Sequence, residues 1–190
     1  MQENALWTDI EWLKRVINYR FKHESTYLLP SPVPTPNSDR FPAPPELIDD
    51  DSNYVKFITD NNLIPEERLL LALLFFPILD PRSAHHAFSK NADKTLNNAC
   101  EVGLVNGQNF KGSIPSGLTF VYLLAGNDPL LRRKAFTIIR KGTLLTQGYI
   151  TFQKEALGEA YLNSPIVMPY EILDDFITEP DIDIDTTQWA

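Results

Sequence analysis

The run of residues 69–76 (LLLALLFF) constrains the fold of this 190-residue chain more than any other segment. It is apolar on almost every face, so a helix through it has to be buried on all sides within a domain. Pro65 occupies a favoured first-turn position with Glu66 and Glu67 beside it, and we expect Pro77 to end the helix. The chain should therefore fold around one central, buried helix.

Apolar spacing and capping residues predict further helices around this centre. Residues 1–25 should form an N-terminal amphipathic helix, because an apolar stripe recurs there every three or four residues (Leu6, Ile10, Leu13, Ile17 and Phe21). That helix either packs on its own domain or docks on another subunit. Shorter helices are predicted over residues 54–58, 81–88, 93–102, 118–125, 129–141 and 170–177.

The order of these helices indicates a fold class. The helices that begin near residues 65, 81 and 93 follow one another closely, which is typical of a helix-turn-helix core. Residues 144–152 and 166–168 have the apolar and β-branched content of short strands. We predict a mostly α fold with a small β element, winged-helix-like, over residues 53–178.

The segment between the first helix and this domain is rich in proline. Seven prolines fall between residues 30 and 45, which excludes a helix or a central strand there. We predict that residues 26–52 form a Pro-rich, acidic connector that runs as an extended tether. A ligand for a proline-reading domain is the alternative for this segment.

Charge is distributed unevenly along the chain. The formal net charge is −8, yet residues 171–190 alone hold seven carboxylates and no Lys or Arg, so the remainder carries −1. We predict that residues 179–190 form an acidic, mobile tail. The negative charge argues against a general binder of nucleic acids or anionic membranes, since both need a cationic surface.

Two further features indicate the compartment. Cys100 is the only cysteine, so no disulfide can form within the chain, which fits a reducing environment. The longest apolar run, residues 69–79, is about half the length of a membrane span, and the N-terminus lacks the pattern of a secretion signal. We expect a cytoplasmic protein with no membrane segment.

Motifs for catalysis do not occur in the sequence. It contains no phosphate-binding GxxxxGK[ST], no GxSxG, no HExxH and no paired CxxC. His85 and His86 are adjacent, so on a helix they point about 100° apart and cannot easily share a metal. Cys100 lies on the apolar side of its predicted helix and is expected to be an inert core thiol. We therefore predict no catalytic residue, no cofactor and no metal site, and a protein that is not an enzyme.

The main cluster of charged residues lies on one predicted helix and consists of five cations: Arg132, Arg133, Lys134, Arg140 and Lys141. They either form a plain solvated face or contact an acidic partner, which could be the chain's own tail. Direct DNA binding is the less favoured use. The candidate recognition helix, residues 94–102, contains the cation Lys94 and also the acidic Glu101, which would repel DNA phosphates. We predict that the five cations contact a protein partner.

The order of segments resembles one protein family. It runs LWTDIEWLKRVINYRF, the Pro-rich connector, SNYVKFITDNNLIPEERLLLALLFFPILDP, IPSGLTFVYLLAGND, the basic helix and EILDDFI. This order is similar to the N-terminal region of bacterial, Bacteroidetes-type AAA+ ATPases, some of which are associated with contractile injection systems. The resemblance implies a winged-helix-like domain that precedes an ATPase module. The ATP-binding motifs of that module do not occur in this sequence, so the resemblance assigns no functional residue.

The sequence and the resemblance together predict a non-catalytic adaptor or partner-recognition domain. Its expected partner is a protein, either an AAA+ ATPase or another protein with an acidic surface, and nucleic acid is not expected. The alternative is a winged-helix DNA-binding regulator, because winged helices serve both purposes.

Overall fold

The computed structural model describes residues 4–24, 41–48, 50–92, 102–106, 113–153 and 161–177. The helices in these ranges are α1 (Ala5–Glu24), α2 (Asn53–Asp60), α3 (Pro65–Leu79), α4 (Pro81–Ala92), α5 (Gly117–Ala125), α6 (Pro129–Lys141), α7 (Thr143–Thr146) and α8 (Tyr170–Ile177). A 3₁₀ turn spans Tyr161–Asn163. The strands are β1 (Val105–Asn106), β2 (Ser113–Ile114), β3 (Thr151–Phe152) and β4 (Ile166–Val167). The prediction of a mostly helical chain with a small β element is confirmed.

The β element consists of two short antiparallel pairs. Strand β1 pairs with β2, with Val105 opposite Ile114. Strand β3 pairs with β4, with Phe152 opposite Ile166, and both of these side chains are buried. The strand predicted over residues 166–168 is confirmed as β4. Each strand has two residues, so these pairs do not form a layer of their own.

Helix α3 lies at the centre of the molecule, as its sequence predicts. Each residue from 67 to 76 is buried, and α3 packs against α1, α4 and α5. Helix α1 contributes seven buried apolar residues to the same core (Ala5, Leu6, Ile10, Trp12, Leu13, Val16 and Ile17). Helix α1 therefore packs on its own domain through a stripe broader than the one read from the sequence.

Two predicted boundaries are wrong. Helix α3 does not end at Pro77 but continues to Leu79, because the amide of Asp80 donates to the carbonyl of Phe76 at 3.0 Å and closes the last turn. Residues 144–152 do not form one strand. The short helix α7 covers the start of this segment, and only Thr151 and Phe152 are in a strand. The apolar character of the segment comes from core residues such as Leu144, which is buried within the helix.

Part of the predicted connector is attached to the helices. Residues 41–48 carry no helix or strand, and the indole Nε1 of Trp12 donates to the carbonyl of Pro42 at 3.0 Å. Leu47 and Ile48 pack against the core. Residues 26–40, the tail 179–190 and most of the predicted helix 93–102 lie outside the described residues; Val102 is helical and buried.

Asp50 joins the start of α1 to the start of α2. Its Oδ2 accepts the backbone N–H of Ala5 at 2.6 Å, and its Oδ1 accepts that of Ser52 at 3.1 Å. Partial burial raises the pKa of the Asp50 carboxyl, but hydrogen bonds from Ser52 and Ala5 outweigh this effect and hold the pKa below its ordinary value. The ionised carboxylate therefore stabilises the folded state.

We expect Asp50→Asn to destabilise the protein by about 1 kcal/mol at pH 7, because charged acceptors at helix starts are stronger than neutral ones. The folded-state pKa is depressed, so this contribution is present above the unfolded pKa and is lost as pH falls through the folded one. Urea unfolding at pH 7 and pH 3 should show the two proteins converging at the lower pH. A constant difference across this range would contradict the assignment.

Candidate functional site

Helix α6 is held in place by its ends and by one buried face. The carboxylate Oδ1 of Asp128 accepts the N–H groups of Leu130 at 2.8 Å and Leu131 at 2.9 Å, which caps the helix start. Ala135 and Ile139 are buried where α6 packs against α5. The rest of the helix is left largely to solvent.

Four of the five predicted contact residues share the solvent face of α6, which we call the basic face and define as Arg133, Lys134, Arg140 and Lys141, with Thr137 between them and Leu130 at the N-terminal end. All six residues are exposed. At about 100° per residue they lie within about 120° of the helix circumference, opposite Ala135 and Ile139. The four charges extend over about 12 Å of helix length.

Arg132 differs from the other four cations. It is partly buried, and its Nη1 donates to the carbonyl of Gly126 at 2.9 Å. Gly126 ends α5 with φ at 54°, a backbone conformation that glycine adopts without strain. Arg20 of α1 binds the same helix end, because its Nε donates to the carbonyl of Leu123 at 2.9 Å. Arg132 therefore joins α6 to the end of α5, and Arg20 joins α1 to the same end.

The basic face has no ion pair to any residue that the structure describes. Arg140 and Lys141 lie in the last turn, where the helix dipole stabilises cations. Arg133 and Lys134 lie nearer the opposite end and lack that benefit. The four like charges repel one another, so an acidic surface placed against them would relieve the repulsion.

Apolar side chains lie at one end of the basic face. Leu130 is 70% exposed and Leu131 is 42% exposed. A single exposed leucine is ordinary on a protein surface, but two adjacent ones beside arginines match the mixture of apolar and cationic groups found at protein interfaces. The end of α6 thus offers an apolar contact next to its charges.

A cleft between α1 and α4 is a second candidate site. It has a volume of about 740 Å³ and is lined by Lys14, Asn18, Phe76, Arg82, Ser83, His85, His86 and Ala87. The ammonium of Lys14 lies 2.8 Å from Glu11 and 3.4 Å from Asp80, so two carboxylates neutralise its charge. Among the described residues, no three His, Cys, Asp or Glu side chains come together as a metal site would need. The cleft therefore presents less unpaired positive charge to an acidic group than the basic face does.

Sequence reasoning missed a cluster of charged groups in the core. Asp9 is fully buried and accepts Arg68 Nη2 at 2.6 Å, Arg68 Nε at 3.1 Å and the hydroxyl of Tyr54 at 2.7 Å. A third nitrogen of Arg68 donates to the carbonyl of Pro45 at 3.2 Å. Burial and the Asp9 charge raise the pKa of the Tyr54 hydroxyl far above its ordinary value. The cluster joins α1, α2, α3 and the extended segment.

Glu67 is a second buried charge with a positioning role. Its Oε1 accepts the N–H of Leu144 at 3.0 Å, and its Oε2 accepts that of Ile64 at 3.4 Å. A Cβ at Gly142 would lie 2.7 Å from Oε1 and 2.5 Å from the carbonyl of Ile138, so only glycine fits there. This contact fixes the turn that ends α6, and with it the direction of the basic face.

The cluster of Asp9 and Arg68 could have been suspected from the sequence. Asp9 lies three residues after Leu6 and four before Leu13, which places it on the apolar stripe of α1. Arg68 directly precedes the apolar run of α3. A charge on an apolar face is expected to have a buried partner, although the sequence does not say which.

Comparison with models of known protein families, with curated proteins and with solved structures found no match. In the part of the chain that the structure describes, each helix is too short or too polar to cross a membrane.

Proposed function

We propose that this chain is a non-catalytic adaptor or partner-recognition domain that binds an acidic protein surface through the basic face of α6. The observation that carries the proposal is the exposure of four cations on one helix face, without ion pairs among the described residues, beside two exposed leucines. The family resemblance favours an AAA+ ATPase as the partner.

The winged-helix-like fold belongs to the same proposal. Helices α3 and α4 follow one another closely, with Asp80 alone between them. The pair β1 and β2 begins three residues after the helical Val102, where a wing would follow a recognition helix. These features support the fold, and the basic face lies on α6, outside these elements.

Charge reversal at the basic face should weaken partner capture without unfolding the protein. We expect Arg133→Glu with Arg140→Glu to reduce recovery of the partner from the native host severalfold, because two attractions become repulsions at the interface. The melting temperature should change little, since exposed charges contribute little to stability. Quantitative mass spectrometry of the captured proteins and a thermal melt give both readings.

The matched control is Arg15→Glu with Arg82→Glu, which reverses two exposed arginines on α1 and α4 and leaves the net charge the same as in the test variant. Partner recovery should be that of the unaltered protein. Equal recovery with all three proteins would show that the basic face is only a solvated surface.

The DNA-binding alternative predicts a different result. With a net charge of −8, we expect binding to labelled duplex DNA at physiological salt to be no tighter than about 10⁻⁶ to 10⁻⁴ M, the non-specific range. Fluorescence anisotropy with several unrelated duplexes measures this. Sequence-selective binding in the nanomolar range would favour the regulator over the adaptor.

A further inference from the structure

We propose that the acidic C-terminal segment of this chain, residues 178–190, binds the basic face of α6 and competes there with the partner. The inference rests on the proposed function of that face and adds a means by which the chain regulates it. The segment acts as an internal pseudo-ligand.

Charge complementarity is the first argument. Residues 178–190 contain Glu179, Asp181, Asp183 and Asp185 and no Lys or Arg. The basic face presents four cations that have no ion pair to any described residue. The segment therefore has four negative charges and the basic face has four positive ones.

The spacing of the two charge sets also matches. Asp181 and Asp185 are four residues apart, which spans about 13 Å when a chain is extended, with Asp183 midway between them. The cations extend over about 12 Å along α6. Alternate residues of an extended chain point to opposite sides, so the three aspartates can face α6 together.

Apolar groups supply a second complementarity. In an extended segment Trp189 lies on the same side as Asp181, Asp183 and Asp185, because all four positions are odd-numbered, and Ile182 and Ile184 lie on the opposite side. Leu130 and Leu131 are exposed at one end of the basic face. An acidic segment that also carries a tryptophan on the side facing α6 fits this mixed surface better than a purely charged one would.

The segment starts from a fixed point and has enough length. Helix α8 is held by Phe176, whose ring lies 5.0 Å from that of Phe57 and 5.5 Å from that of Phe75, and by a 2.9 Å hydrogen bond from Asn53 to the carbonyl of Asp175. Asp181 and Asp185 lie four and eight residues beyond Ile177, so an extended chain carries them up to about 13 Å and about 26 Å from the end of α8. A domain of this size has a radius of gyration of about 16 Å, so the reach of Asp185 exceeds that radius.

Tethering makes a weak contact effective. Each exposed ion pair contributes little and is screened by salt. A short tether nevertheless holds the segment at a local concentration in the millimolar range, so a millimolar affinity leaves the face covered about half of the time. A partner can bind only when the segment is displaced, so the partner's apparent affinity falls as the covered fraction of the basic face rises.

Carbodiimide cross-linking of the whole 190-residue chain tests the contact directly, because this reagent joins a carboxylate to an amine only where the two touch. We expect intramolecular links from Lys134 or Lys141 to residues 179–185, identified by peptide mass spectrometry. The variant Arg133→Glu with Arg140→Glu keeps both lysines, yet the links should fall severalfold. They should persist in Arg15→Glu with Arg82→Glu and weaken in high salt.

A second variant separates this inference from the proposed function. Asp181→Asn with Asp183→Asn and Asp185→Asn should raise partner recovery about twofold or more, since the competitor is weakened. If links are absent, or form equally to Lys56 on α2, the inference is wrong, while partner capture that still depends on the basic face leaves the function intact. Links found only between differently isotope-labelled copies would also overturn it, because the segment would then bind a second molecule.

Discussion

Replacing Arg68 with alanine is expected to destabilise the fold by about 3–5 kcal/mol, because it leaves the carboxylate of Asp9 buried without its charge partner. Asp9 is fully buried and takes two of its three hydrogen bonds from Arg68. The carbonyl of Pro45 also loses its donor. Equilibrium urea unfolding at pH 7 measures the loss.

The matched control for this prediction is Arg15→Ala, which truncates an exposed arginine on α1 and should change stability by no more than about 0.5 kcal/mol. The combination Asp9→Leu, Arg68→Met and Tyr54→Phe removes the whole cluster and should recover much of the stability. A loss below about 1 kcal/mol for Arg68→Ala would show that water reaches Asp9 and that the cluster is not sealed.

Replacing Glu67 with alanine is expected to cost about 2–4 kcal/mol, since a buried N–H loses its acceptor and a cavity opens beside it. The affected groups are the N–H of Leu144, which is bound at 3.0 Å, and the tightly packed turn at Gly142. Urea unfolding gives the stability, and hydrogen exchange of the Leu144 amide should accelerate in the variant.

Glu67→Gln is the matched comparison, because glutamine keeps an acceptor oxygen and nearly the same volume. Its cost should be about 1 kcal/mol, the value of weakening a charged hydrogen bond. Equal losses for Gln and Ala would mean that the carboxylate charge matters and the packing does not. If neither variant loses stability, Glu67 does not fix the end of α6.

The sequence predicted the helices well where periodicity and capping agreed. The all-round apolar run of α3, the Asp128-Pro129 start of α6 and the Gly126 stop of α5 are all found in the structure. Residues 144–152 were misread because burial, not strand pairing, explains their apolar character. A distant carboxylate, Glu67, caps the short helix there, and local sequence carries no trace of that partner.

The candidate site was predicted in part. The five cations are on one helix, but the sequence alone did not separate Arg132 from the rest. Arg132 binds the carbonyl of Gly126, a contact that depends on how α5 turns into α6. The exposure of Leu130 and Leu131 depends equally on tertiary packing, since leucines in a helix more often face the core.

Site-specific photo-cross-linking in the native host shows whether the basic face of α6 touches an acidic protein. A photoreactive residue would replace Thr137, which lies within the basic face, or Thr59, which is also exposed and lies on α2. Both hydroxyls donate to the carbonyl four residues earlier at 2.9 Å, so the two replacements disturb their helices alike. We expect a discrete adduct between position 137 and an acidic segment of a partner protein, and no adduct from position 59. The variant Arg133→Glu with Arg140→Glu should diminish the adduct from position 137. The same adduct from both positions, or an adduct from position 59 alone, would contradict the proposed function.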